Sequence, residues 1–295
     1  MAEDLVDRVL RRQDWMEGWG DAVQTAVGSV FKVLGPLGTW LKDILHGTKL
    51  LGHPLHPALT DVPLGAWSAG IVADYVAHYF HQIPPVVGDF ALLVGFLSGL
   101  GAAAAGYTDF HETFAQERRV ALTHGLTMTL VLLLDLISLW IRFAGGNRAL
   151  AVAIATVAIA IALFGAYLGG HLVFGFGTMV NHDAFATGPE DFVAVGKPAD
   201  FGEGKLVRVM AGEMPVLVVR LNGKLAAIAN TCTHAGGPLN EGSLNDGRVT
   251  CPWHASVFRV ADGRVVHGPA TFDQPVLAVR EHAGKVEVKL AQPTH

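Results

Sequence analysis

The chain has 295 residues, a net charge of −5, and 51% hydrophobic against only 16% charged residues. Soluble domains average about 25% charged residues, so part of this chain is not built for water. Mild acidity, with no basic run and no aromatic–basic interleaving, excludes nucleic acid as a partner. The length accommodates two ordinary domains.

In chain order, residues 1–58 come first. Within it, Leu5, Val9 and Trp15, then Ala26, Val30, Phe31 and Leu34, fall near helical spacing between charged positions, which predicts one or two amphipathic helices over residues 4–46, lying on the membrane surface or against a bundle. This stretch has no apolar core of the kind a secretory signal needs. Arg11-Arg12 is followed by Gln13, Asp14 and Glu17 rather than the apolar run of a twin-arginine signal.

Four apolar segments follow in residues 59–171, each about as long as a bilayer is thick: Val62–Phe80, Val86–Tyr107, Val120–Phe143 and Ala149–Gly170. Short loops between them predict an up–down–up–down bundle. Rows of small residues four apart (Gly95/Gly99, Ser98/Ala102/Gly106 and Ala162/Ala166/Gly170) predict close helix packing. An even number of spans puts both termini on one side. Arg8, Arg11, Arg12, Lys32, Lys42, Lys49, Arg118 and Arg119 fall on that side, against Arg142 and Arg148 opposite. That bias predicts a multi-pass protein of the inner (cytoplasmic) membrane, with its termini in the cytoplasm.

Residues 172–191 read as a glycine-containing connector, and from 192 to 295 the period changes to two. Candidate strands are Phe192–Val195, Lys205–Met210, Pro215–Arg220, Leu225–Ala229, Val249–Cys251, Ser256–Val260, Val276–Arg280 and Lys285–Leu290, punctuated by Asn222-Gly223, Asp262-Gly263 and Ala283-Gly284. The expected fold is α plus β, a four-helix transmembrane bundle followed by a small antiparallel all-β domain.

The β segment holds both cysteines of the chain, in Cys232-Thr233-His234 and, after sixteen intervening residues, Cys251-Pro252-Trp253-His254. With both committed there, no disulfide is expected. Two thiolates and two imidazoles in this order suit a 2Fe–2S cluster with cysteines on one iron and histidines on the other. Zinc also takes two cysteines and two histidines. Against zinc stand the one-residue gap inside Cys-x-His, the tight Gly236-Gly237-Pro238-Leu239 loop, and Gly268-Pro269 placed where a covering loop is needed.

On C-T-H-A-G-G-P-L and C-P-W-H, residues 191–292 resemble a Rieske ferredoxin domain. The resemblance implies Cys232 and Cys251 on the buried iron, with His234 and His254 on the outer one, where electrons leave. Respiratory Rieske proteins add a disulfide, but Gly237 and Trp253 stand at those positions here. They also hydrogen-bond the cluster from a serine and a tyrosine. Ser256 matches the serine, while Phe258 replaces the tyrosine, so the expected potential lies below the respiratory class. Rieske oxygenases need a further 2-His-1-carboxylate iron site, and too few residues follow His254 to house one.

Gly52-His53-Pro54-Leu55-His56-Pro57 with Asp61-Val62-Pro63 resembles the opening of a four-helix bacterial membrane domain, a likeness that brings no chemistry with it. His53, His56, His111, His124 and His171 fall at one end of the expected bundle, with Asp61 and Asp109. They suit three roles: axial ligands to haem b, with His124 and His171 as the best-placed pair; binding and deprotonation of a quinol; or interfacial hydrogen bonding alone. Asp74 and Asp135 lie well inside spans, where a carboxylate costs about 3 kcal/mol, and read either as interhelical hydrogen bonds or as a proton path. The expected protein transfers single electrons between a membrane redox site and an unknown partner protein. A quinol oxidoreductase and a redox- or iron-sensing interaction protein are the alternatives.

Overall fold

The computed structural model describes residues 5–291, with the side chains of Leu5 and Asp7 outside the description. The first four residues of the amphipathic segment and the last four of the β domain therefore lie outside it. The chain forms two units: residues 1–45 with 54–177, and residues 46–53 with 178–295.

In the first unit the helices are α1 (Leu5–Leu10), α2 (Trp15–Val33), α3 (Gly35–His46), α4 (Leu55–Tyr79), α5 (Val86–Phe110), α6 (Ala115–Phe143) and α7 (Arg148–Phe176). The last four make the bundle. α4 lies along α5 and α6 along α7; α5 packs on α6 and α4 on α7, so α4 and α6 are diagonal. α5, α6 and α7 are long and apolar enough to cross a membrane, with mean hydropathy of 1.8, 1.9 and 2.5 over their most apolar stretches. α4 has the length, but His56, Asp61, Asp74 and His78 dilute its apolar content, and it relies on its neighbours to shield those groups. Outward-facing Leu97, Leu133, Trp140, Leu163 and Phe164 leave an apolar exterior, which suits lipid rather than water.

The small residues act through what they admit. A methyl group on Gly95 would come within 2.4 Å of the Trp67 ring, and one on Gly99 within 3.1 Å of it. These glycines let Trp67 lie buried across α5. In α7 the packed face is Ala151, Ala155, Ala158, Ala162, Gly165 and Leu168. The expected Ala162/Ala166/Gly170 row gives way to it because 3.6 residues per turn carries a four-residue row off the contact face.

One end of the bundle is closed by ions. Arg142 donates to Asp74 and, at 2.8 Å, to Asp89, while Arg148 reaches Asp74 at 2.9 Å and Asp89 at 3.0 Å. The Arg142 and Asp74 side chains are 0% and 1% exposed. Mutual pairing offsets their desolvation, so Asp74 has a structural partner set. Asp135, 1% exposed, has no hydrogen bond at Oδ2 among the described residues.

At the other end the N-terminal helices dock on the bundle. Arg118 pairs with Glu17 and Asp21, Arg119 pairs with Glu17 and Asp14, and Gln24 donates to the carbonyls of Phe110 and Thr113. Lys42 and His111 converge on Glu112. Burial alone would raise that carboxyl, but the His111 hydrogen bond and the Lys42 ammonium hold it down to about 2.

The second unit has two sheets. Numbered in chain order, β1 (Val193–Gly196), β2 (Val207–Ala211), β3 (Met214–Leu221), β4 (Lys224–Ala229), β9 (Val276–His282) and β10 (Lys285–Leu290) form one, ordered β1-β10-β9-β4-β3-β2. β5 (Ser243–Asn245), β6 (Arg248–Thr250), β7 (Val257–Arg259) and β8 (Val265–His267) form the other, in sequence order. All pairings between these strands are antiparallel. β5 and β8 fall outside the expected strands, because β5 has a single apolar residue, Leu244, and β8, Val265-Val266-His267, does not alternate. β3 is buried on both faces: Val216 and Val218 enter one core, and Leu217 and Val219 enter the other with Ile228, Val249, Phe258 and both cysteines.

Candidate metal centre

Two loops of the second unit carry the cysteine–histidine pairs, and each closes on itself in the same way. After β4, the Gly236 N–H donates to the Cys232 carbonyl and the Cys232 N–H to Gly237, both at 2.8 Å. After β6, the Ala255 N–H donates to the Cys251 carbonyl at 3.2 Å and the Cys251 N–H to Ser256 at 2.8 Å. Gly236 (φ 77°) and Ala255 (φ 59°), each four residues past its cysteine, take the left-handed turn that reverses the loop.

This fold-back aims the ligand atoms. Cys232 and Cys251 are 1% and 3% exposed. Their sulfurs hydrogen-bond each other, which holds Cys251 down to about 7 and, together with burial, pushes Cys232 above the ordinary thiol range. The N–H groups of His234 and Ala235 face the first sulfur, and those of Trp253 and His254 the second. Such amides stabilise thiolates, and a bound metal replaces the shared proton. His234 Nδ1 and His254 Nδ1 are 3.2 Å apart, with the rings at 83°. Two nitrogens each about 2 Å from one metal ion would be about 3 Å apart, so both rings address a single point.

The donors thus form a sulfur pair and a nitrogen pair. Among the described residues no three His, Cys, Asp or Glu side chains converge on one metal position. A tetrahedral zinc site needs four donors on one ion, whereas a 2Fe–2S cluster needs two on each of two irons. The arrangement fits the cluster. A methyl group on Gly237 would lie 2.8 Å from Cys251 Sγ, so this residue keeps the cradle open.

Ser256 is fully buried, and its Oγ accepts the Ala270 N–H at 3.0 Å. That anchors the loop carrying Gly268-Pro269, whose peptide is cis, and leaves the hydroxyl hydrogen for a second acceptor. Thr233 Oγ1 donates to the Phe272 carbonyl at 2.8 Å, tying the same loop to the first ligand loop. Sequence reasoning missed a third support. Thr48 Oγ1 donates to the Ala270 carbonyl and Lys49 Nζ to Val266, both at 3.0 Å, while His46 lies buried against Gly268. No local pattern marks a contact over two hundred residues apart.

His124 of α6 faces His56 of α4, with ring centroids 6.0 Å apart. His171 does not occupy the expected position opposite His124. Its ring stacks on Tyr167 and meets Phe176 edge-on. Gly169 lies against His124, and two residues further along a helix is about 200° around it, so His171 leaves that face.

Paired Cys/His loops on a small antiparallel sheet, with cysteines buried, histidines half-buried and a covering loop pinned beside them, define a Rieske-type iron–sulfur domain of the electron-transfer kind. The chain belongs to the Rieske family: the model of the Rieske 2Fe-2S domain matches residues 191–280. Residues 52–182 match the family described as Predicted membrane protein (DUF2231). The anthranilate 1,2-dioxygenase ferredoxin subunit of Burkholderia cepacia is 32% identical over 91 residues, 31% of this chain and 84% of that protein. Apoptosis-inducing factor 3 of Homo sapiens is 34% identical over 106 residues, 35% of this chain, but the match spans only 18% of that protein. A chain in a solved complex of reduced oxygenase and oxidized ferredoxin in carbazole 1,9a-dioxygenase is 31% identical, with 34% of this chain and 94% of that chain covered and a TM-score of 0.32. The cofactor is accordingly a Rieske 2Fe–2S cluster, in a protein that also carries a membrane domain.

Proposed function

We propose that this protein is a membrane-anchored one-electron carrier, with Cys232 and Cys251 holding the inner iron and His234 and His254 the outer iron. The cluster supplies a reversible one-electron couple at a potential raised by neutral imidazole ligands. The observation that carries the proposal is the separation of donors: sulfurs buried in the core, nitrogens converging at its half-buried rim. Trp253, 51% exposed, stands beside His254 with ring centroids 6.4 Å apart. An exposed aromatic at the rim is the kind of anchor a transient protein partner uses. The ferredoxin relatives are named as components of dioxygenase systems, which supports an oxidoreductase as the partner. The lysine and arginine bias supports a cytoplasmic β domain in the inner membrane, and the histidines of the bundle support a second redox group there.

The test uses the full chain in detergent, reduced with dithionite and mixed with cytochrome c or ferricyanide. One electron per 2Fe–2S cluster, followed as bleaching and return of the Rieske signal, is expected with either oxidant. Trp253→Ala should slow transfer to the protein acceptor while leaving ferricyanide unaffected. Absence of a reversible one-electron couple contradicts the proposal.

A further inference from the structure

His56 and His124 are held in matching ways. His56 Nδ1 lies 2.8 Å from the Ala102 carbonyl of α5, and His124 Nδ1 lies 2.8 Å from the Gly165 carbonyl of α7. A carbonyl only accepts, so each Nδ1 carries the proton and each Nε2 is left as the free lone-pair nitrogen. Among the described residues neither Nε2 has a hydrogen-bond partner. Each acceptor carbonyl is followed four residues later by a glycine on which the ring rests. A methyl group on Gly106 would come within 2.8 Å of His56, and one on Gly169 within 3.3 Å of His124.

The two helical hairpins repeat one plan. α4–α5 supplies His56, Gly106 and, at the far end, Asp74 and Asp89; α6–α7 supplies His124, Gly169 and, at the far end, Arg142 and Arg148. His56 to Asp74 and His124 to Arg142 are the same distance along their helices. The two imidazoles therefore meet from diagonal helices across the bundle, where bundle proteins build cofactor sites. An imidazole whose Nδ1–H is fixed by a backbone carbonyl is the usual state of a metal-ligating histidine.

We infer that His56 and His124 are the two axial ligands of a b-type haem held inside the membrane bundle. Two imidazoles each about 2 Å from one iron place their centroids about 6 Å apart, and the observed separation is 6.0 Å. A bare metal ion would need further protein donors, and no third His, Cys, Asp or Glu joins this pair among the described residues. Haem brings four equatorial nitrogens and asks the protein for two axial ones. A quinol fits less well: its hydroxyls sit at opposite ends of a six-membered ring, and two imidazoles this close cannot serve both. The inference deepens the relay proposed above by naming its membrane group. It rests on that proposal for purpose, though not for geometry.

The test is optical and EPR spectroscopy of the full chain, purified in detergent from haem-replete cells and again after addition of hemin. One low-spin haem per chain is expected beside the Rieske signal. His56→Gly and His124→Gly should each abolish the low-spin spectrum, and free imidazole should restore it, a rescue that misfolded protein would not give. His171→Ala should leave the spectrum unchanged. A full Rieske signal with no haem bound after hemin addition overturns the inference while the carrier reading stands. So does low-spin haem that survives in either glycine variant, or is lost in His171→Ala alone. Loss of the Rieske signal with haem retained counts against the carrier reading instead.

Discussion

Gly237 and Ala255 sit in equivalent loops yet tolerate substitution differently. A Cβ at Gly237 would crowd Cys251 Sγ at 2.8 Å, so Gly237→Ala should lose most of the cluster, read as iron and sulfide per chain. Ala255 already carries a Cβ at positive φ, so Ala255→Gly should keep the cluster in full. Ser256→Ala removes a hydroxyl that both anchors the Ala270 amide and can donate to the cluster. A lost hydrogen bond of about 1 kcal/mol shifts a one-electron couple by about 40 mV. The variant's potential should fall by that order with its EPR signal retained; an unchanged potential would confine Ser256 to loop anchoring. The two Cys/His pairs and Ser256 could be singled out in the sequence because residue type and spacing suggest their chemistry. That His124 faces His56 was not legible, because which helix faces meet is set by packing and not by any local period.

At the level of elements, the ionic end of the bundle depends on mutual neutralisation. Arg142→Leu would leave Asp74 and Asp89 without their fully buried cation, and breaking a buried pair costs about 3–5 kcal/mol. Thermal unfolding in detergent should show the loss, and adding Asp74→Asn should restore part of it. The connector makes a pH-dependent contribution. Burial raises the Asp183 carboxyl from 3.8 to about 7. Between those values the folded state holds a proton that the unfolded chain has released. Stability therefore falls as pH rises through that window and levels off above it. Asp183→Asn should flatten this part of the pH–stability curve of the β unit; a curve unchanged by the substitution would refute the assignment. The four bundle helices α4, α5, α6 and α7 and the strands β1, β2, β3, β4, β6, β7, β9 and β10 were visible in sequence. β5 was hidden by its single apolar residue and β8 by its lack of alternation. The segment 46–53, which belongs with the β unit, was hidden because its ties to that unit run to residues over two hundred positions away.

For the whole molecule, an apolar bundle and a Rieske domain in one chain separate two tasks. The helices hold the protein in lipid and bring paired histidines together in the bundle core, while the sheets keep sulfurs dry and imidazoles near the surface. A C-terminal fluorescent-protein fusion should glow and an alkaline phosphatase fusion should stay inactive if the β domain is cytoplasmic; the reverse would invert the orientation. Everything said about electron transfer depends on what the four ligands hold. The direct measurement is EPR of the dithionite-reduced full chain, with iron, sulfide and zinc counted on the same sample. A Rieske signal with two non-haem irons and two sulfides per chain is the predicted result. A colourless, EPR-silent protein with one zinc per chain would contradict it.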